Sequence, residues 1–138
     1  MRLKPALTAD DAEAMAKAVR SEALARGWRI AVAIVDDGGH VLRIDRMDGT
    51  GSMASDIAMG KARMSALTRR TSKFWEERIE QRPGFLAFQF GLPIQGAVPI
   101  FHSEECVGAI GVSGVGSDED ELLAKVGLAA ISADQIIP

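Results

Sequence analysis

Asp45, Arg46, Met47, Asp48 and Gly49 carry an apolar stretch into a glycine turn, and Lys61 follows in the next segment. A strand that feeds such a turn fixes the backbone and leaves side chains free, which is where binding and catalytic groups concentrate. Arg46 suits a planar carboxylate met in bidentate fashion. Lys61 supplies a point charge or, if desolvated, a base near neutrality. The same residues also serve a purely structural purpose if Arg46 or Lys61 pairs with Asp48 or Asp56, since buried charges are normally paired. His40, just after Gly38 and Gly39, is either a solvated turn residue or a member of the site.

Two other groupings carry less. GAIGVSGVGS, residues 108–117, leaves a strand and enters a helix, as a phosphate loop does. It matches neither dinucleotide nor Walker spacing, lacks the lysine, and is followed by Asp118, Glu119 and Asp120, which repel a phosphate. His102, Glu104, Glu105 and Cys106 include metal-binding types, but residues this close in a turn seldom converge on one ion, so no metal site is expected. The aromatic residues are more informative. Phe74, Trp75, Phe85, Phe88 and Phe90 fall within one short stretch of a chain that has no tyrosine. They form core, a subunit interface or a ligand wall, since aromatics dominate all three.

The whole chain bounds what these groups can do. Its 138 residues, 47% hydrophobic and 25% charged, make a single domain, residues 1–138, able to bury one core without staples. One cysteine excludes an internal disulfide, and a reducing, cytoplasmic setting is expected. Sixteen basic against nineteen acidic residues, net charge -3, with no basic cluster beyond Arg69 and Arg70, argue against a nucleic-acid partner. No window nears the ~20 apolar residues of a membrane span, so no membrane role is expected.

Thr8 followed by Asp11 predicts a capping box for a helix over 9–26, with Ala12, Met15, Ala16, Val19 and Ala23 on one stripe and Gly27 at its end. Trp28–Val35 and Val41–Arg46 read as a hairpin about Asp36–Gly39. The first strand is apolar on both faces and hence central, and Leu42, Ile44 and Arg46 share a face of the second. From about Met53 to Arg69 alanine recurs at 54, 58, 62 and 66, giving a helix whose small-residue stripe allows close approach, with Lys61 beside it. Thr71 or Ser72 caps a short helix over 73–81, ended by Pro83 and Gly84. Strands follow near 98–102, an edge position given Pro99, and at 107–113. Ser117 caps a last helix. The order α-β-β-α-α-β-β-α predicts an α+β fold, an antiparallel sheet flanked by helices.

VDDGGHVLRIDRMDG at 35–49, IAMGKA at 57–62, LPIQGAVPI at 92–100 and VGAIGVSG at 107–114 resemble, in order, the GlcG/HbpS-like family, which also occurs as the C-terminal domain of a cobalamin adenosyltransferase. The resemblance covers nearly the whole chain and implies a profilin-like sheet assembled as a homo-oligomer. Members include haem-binding and haem-degrading proteins and a cofactor-independent lyase acting on hydroxylaminobenzoate. One family mode of holding iron uses a histidine of the first helix, and residues 9–26 contain none. Gln95, Gly96 and Ala97 also depart from the glycine-rich run expected before VPI.

Two functions follow. In the preferred one a homo-oligomer binds a small molecule, haem or a related planar carboxylate-bearing ligand, against Phe74, Trp75 and Phe88 with Thr71 beside them, while Arg46 and Lys61 meet the carboxylates. In the other, Arg46 anchors a small aromatic acid and Asp48, His40 or Lys61 moves protons, as in a lyase releasing ammonia. Neither requires a cofactor; haem enters as ligand.

Overall fold

Thr8 accepts the backbone N–H of Asp11 at 3.1 Å while the Asp11 carboxylate accepts that of Thr8 at 2.9 Å, and this reciprocal cap starts α1 (Ala9–Ala25). The computed structural model describes residues 1–138. Gly27, in the left-handed region at φ 72°, reverses the chain after α1. The Trp28 N–H then turns back to the Ala23 carbonyl at 2.8 Å, so the first strand begins at Ala31 rather than at Trp28.

Strand β1 (Ala31–Asp36) joins β2 (Val41–Arg46) through a turn held by the Asp36 carboxylate, which accepts the N–H groups of Gly38 and His40, each at 2.9 Å. Helix α2 (Ala54–Thr68) ends in a left-handed Arg69, and Thr71 caps α3 (Ser72–Gln81) by accepting the Phe74 N–H at 3.1 Å. A 3-10 turn, Pro83–Ala87, leads through the loop to β3 (Ala97–His102), β4 (Glu105–Ser113) and α4 (Ser117–Leu128). The N-cap of α4 is Gly116, not Ser117 as the sequence pattern had it. The Glu119 carboxylate reaches back to the Gly116 N–H at 3.2 Å, which moves the helix boundary one residue earlier.

The four strands form one antiparallel sheet in the order β2-β1-β4-β3, with β1 interior and the proline-bearing β3 at an edge. The fold is therefore α+β, as expected. Ile30, Val32, Ile34, Val98, Ile100, Ile110 and Val112 face α1 and α4 and build the larger core. Each such residue contributes roughly 1.5–3 kcal/mol on burial.

The opposite face is nearly all alanine: Ala54, Ala58, Ala62 and Ala66 of α2 lie on Ala31, Ala33, Val35 and Ala109. Small side chains here exchange buried area for proximity. A Cβ on Gly111 would stand 2.4 Å from the Ala58 carbonyl oxygen, so the helix rests almost on the strand backbone. That closeness fixes where the outward side of α2, and the loop crossing it, must lie. No helix is long and apolar enough to cross a membrane.

Candidate functional site

Lys61 points from α2 toward the end of β4 and is 2% exposed. Its Nζ donates to Asp120 Oδ2 at 3.0 Å and to the Val112 carbonyl at 3.1 Å, and Asp120 Oδ1 accepts the Val115 N–H at 3.1 Å. Burial pushes the Asp120 carboxyl above the usual carboxylate range, against the opposing pull of the Lys61 charge and the bond it donates. The ion-pair partner of Lys61 is thus Asp120, not the Asp48 or Asp56 that proximity in sequence offered.

Arg46 stands elsewhere. It lies opposite Ala31 on edge strand β2, is exposed, and donates to the Ser52 carbonyl at 3.4 Å. Asp48 and His40 are exposed residues of two separate turns. No hydrogen bond or salt bridge joins Arg46, Asp48, His40 and Lys61, so the structure does not gather them into one cluster. On the other face of β2, Asp45 pairs with Arg20 and with Arg43, the latter at 3.1 Å, tying the edge to α1. His102 and Glu104 are exposed, whereas Cys106 is buried with its thiol directed at the Gly108 carbonyl at 3.5 Å. Burial raises its pKa.

What the fold does gather is the aromatic stretch. Rings run in an unbroken series from Phe74 to Phe90. Phe74 meets Trp75 edge-on at 5.4 Å, Trp75 meets Phe85 at 5.0 Å, and then Phe85, Phe88 and Phe90 lie near-parallel at 6.1 and 4.8 Å, with interplanar angles of 26° and 29°. These rings are not core: Phe88 is 53% and Phe90 48% exposed. Thr71 contributes by capping α3 and so setting the direction of Phe74. The Trp75 indole N–H is buried with no hydrogen-bond partner.

Three arginines frame the series. The Arg70 guanidinium sits 5.1 Å over Phe74 and that of Arg82 5.9 Å from the Phe85 centroid. Arg63 donates from Nε to the Phe90 carbonyl at 3.2 Å and from Nη1 to the Gly39 carbonyl at 2.9 Å, clamping the loop to the β1–β2 turn. Between loop and helix lies an open groove of about 430 Å³ lined by Gly60, Arg63, Phe85, Phe88, Phe90 and Leu92 among others. A second, of about 350 Å³, flanks Phe85 and Phe88 on the side of Arg82. Such volumes fall within the ordinary range for small-molecule sites.

The loop holds this position because two glycines let backbones touch. Leu92 N–H bonds the Gly60 carbonyl at 2.9 Å, and a Cβ on Gly91 would come within 2.6 Å of the Met64 nitrogen. Of the aromatic series and the arginines around it, sequence reasoning singles out Phe74, Trp75 and Phe88 as ligand-binding and misses Arg63, Arg70 and Arg82; Phe88, Arg63 and Arg82 line the grooves, whereas Phe74, Trp75 and Arg70 do not. A signal existed for two of these arginines: Arg70 lies four residues before Phe74, and Arg82 three before Phe85.

Comparison with known proteins bears on the same chain length. A family model described as haem degrading protein HbpS-like matches residues 7–129. Protein GlcG of Escherichia coli is 36% identical over 114 residues, covering 82% of this chain and 85% of that protein. The crystal structure of a double mutant of Streptomyces reticuli HbpS aligns with a TM-score of 0.91 at 28% identity, covering 96% of this chain and 91% of that one. The crystal structure of a PduOC:heme complex aligns with a TM-score of 0.87 at 21% identity, over 95% and 99% of the two chains, a likeness of fold.

Proposed function

The chain belongs to the HbpS-like family, and from that premise we propose that it is a small-molecule-binding protein whose ligand is flat, conjugated and carboxylate-bearing, haem or a relative of it. One observation carries this reading: the near-parallel rings of half-buried Phe85 and exposed Phe88 and Phe90, with guanidinium groups of Arg63, Arg70 and Arg82 around the series. An exposed aromatic series of this kind is unusual unless something flat covers it. Ring stacking contributes about 0.5–1.5 kcal/mol per pair beyond area burial, and a guanidinium binds a carboxylate through two parallel N–H bonds.

Haem fits this description in its plane and its two propionates. The rings would carry the macrocycle, and Arg63 and Arg82 would meet the carboxylates at the rim of the grooves. When bound, such a group supplies light absorption and whatever iron chemistry its own ligands permit; the chain's part is to hold and orient it. The description of the family model as haem degrading supports the choice of ligand. Self-association belongs to the same proposal, since exposed Leu86 beside the rings offers apolar surface to a second copy.

The enzymatic alternative has Arg46 anchor the acid while Asp48, His40 or Lys61 moves protons, and Lys61 is held by Asp120. Arg46 and Asp48 are exposed at one end of β2 and His40 at the turn at its other end, so the binding reading takes precedence. Titration of the purified protein with haem tests it. A saturable Soret shift at stoichiometric haem is expected, weakened in Arg82→Ala; a featureless titration, with stabilisation by a small aromatic acid instead, would favour the enzyme.

A further inference from the structure

We infer that the aromatic groove recognises the flat carboxylate-bearing framework and not a metal held in it, so that a metal-free porphyrin binds as well as haem does. The inference rests on the ligand reading above and narrows it.

It follows from what lines the two grooves. None of the ten residues of the larger one is a histidine, cysteine, methionine or carboxylate, and its only neutral polar side chain is that of Gln89. The smaller groove adds Arg82, Gly84 and Gln81. The chain has no tyrosine, which removes the remaining protein ligand common for haem iron.

The candidate ligands His40, His102, Cys106 and Lys61 line neither groove. The Cys106 thiol is buried against the Gly108 carbonyl. The ring of His40 lies over its own turn, its Cδ2 3.1 Å from where a Gly38 Cβ would stand. His102 lines a separate cavity with Pro5, Ala6 and Leu7. Lys61 is held by Asp120.

The interactions that the groove does offer are blind to the metal. Phe85, Phe88 and Phe90 form a near-parallel stack, and the attraction of its open ring face depends on the area and polarisability of the ring laid on it. Arginine at the rim reads carboxylates, which haem and its metal-free parent share. With no iron ligand among the residues that line the grooves, the metal adds nothing there that distinguishes the two ligands.

The test is equilibrium binding of haem and of metal-free protoporphyrin IX to the full chain, followed by quenching of Trp75, which packs 5.0 Å from Phe85, with Trp75→Phe as the control for Trp28. Dissociation constants within about threefold of each other are expected. Phe88→Ala should weaken both by the same factor, about two- to tenfold for one lost ring pair. Cyanide added to the haem complex should change its spectrum without releasing haem. Haem binding with protoporphyrin more than tenfold weaker would overturn the inference while leaving the ligand reading intact. Failure of both ligands would overturn the ligand reading itself, and this inference with it.

Discussion

Nζ of Lys61 lies 3.0 Å from Oδ2 of Asp120, and both side chains are sealed from solvent, joining α2 to α4 across the end of β4. Removing one member leaves a buried charge without its partner. Lys61→Met or Asp120→Asn is therefore expected to cost about 3–5 kcal/mol in urea unfolding, whereas Lys61→Met combined with Asp120→Leu should recover part of that loss, the Val115 N–H staying without its acceptor. Single variants as stable as wild type would mean that water reaches the pair.

The same pair sets a pH dependence. Because burial raises the Asp120 carboxyl above its ordinary value, the native state binds this proton more readily than the unfolded chain. Between the unfolded and the higher native value the native state holds more protons, so this group's contribution to stability falls as pH rises through that window. Wild type minus the Lys61→Met/Asp120→Leu double variant, measured by unfolding from pH 4 upward, should show that negative slope. A difference that grows with pH would contradict it.

Gly91 and Gly84 make a matched pair of tests for the loop. A Cβ on Gly91 meets backbone at 2.6 and 2.7 Å, while one on Gly84 meets nothing within 4 Å. Gly91→Ala should cost about 1–3 kcal/mol by overpacking and weaken ligand binding as the loop lifts from α2. Gly84→Ala should leave stability unchanged, and equal destabilisation by both would remove the crossing at Gly60 as the loop's anchor.

Cys106 should be a slow thiol. Its pKa is raised by burial, and thiolate is the reactive form. Modification by a thiol reagent at pH 8 is expected to follow unfolding, accelerating steeply through the urea transition. Rapid labelling of the native chain would place Cys106 at a mobile surface.

Much of the fold was legible because the periodicities are strong. Alanine at every fourth position from 54 to 66 announced a helix lying close to its neighbour, and Gly111 beneath Ala58 shows how close. The capping box at Thr8 and the Asp36–Gly39 turn were equally plain, since each is built from residues adjacent in sequence. The partner of Lys61 was not, because Asp120 is distant in the chain and only the packing of α2 and α4 on the sheet brings it near.

Arg46 shows the same limit from the other side. Its strand alternation gave its face correctly, but alternation is silent on which layer covers that face, and this end of β2 is left to solvent. The aromatic stretch was visible as composition. Its exposure, and the parallel set of Phe85, Phe88 and Phe90, depend on Pro83 and Gly84 ending α3 and on Gly91 crossing α2, which composition does not specify.

Hydrogen–deuterium exchange on the full chain, with and without saturating haem, tests the location of the site most directly. The account predicts protection concentrated in residues 74–92, with the turns that carry His40 and Asp48 unchanged. Protection confined to those turns and the end of β2, with the aromatic loop exchanging as before, would contradict it.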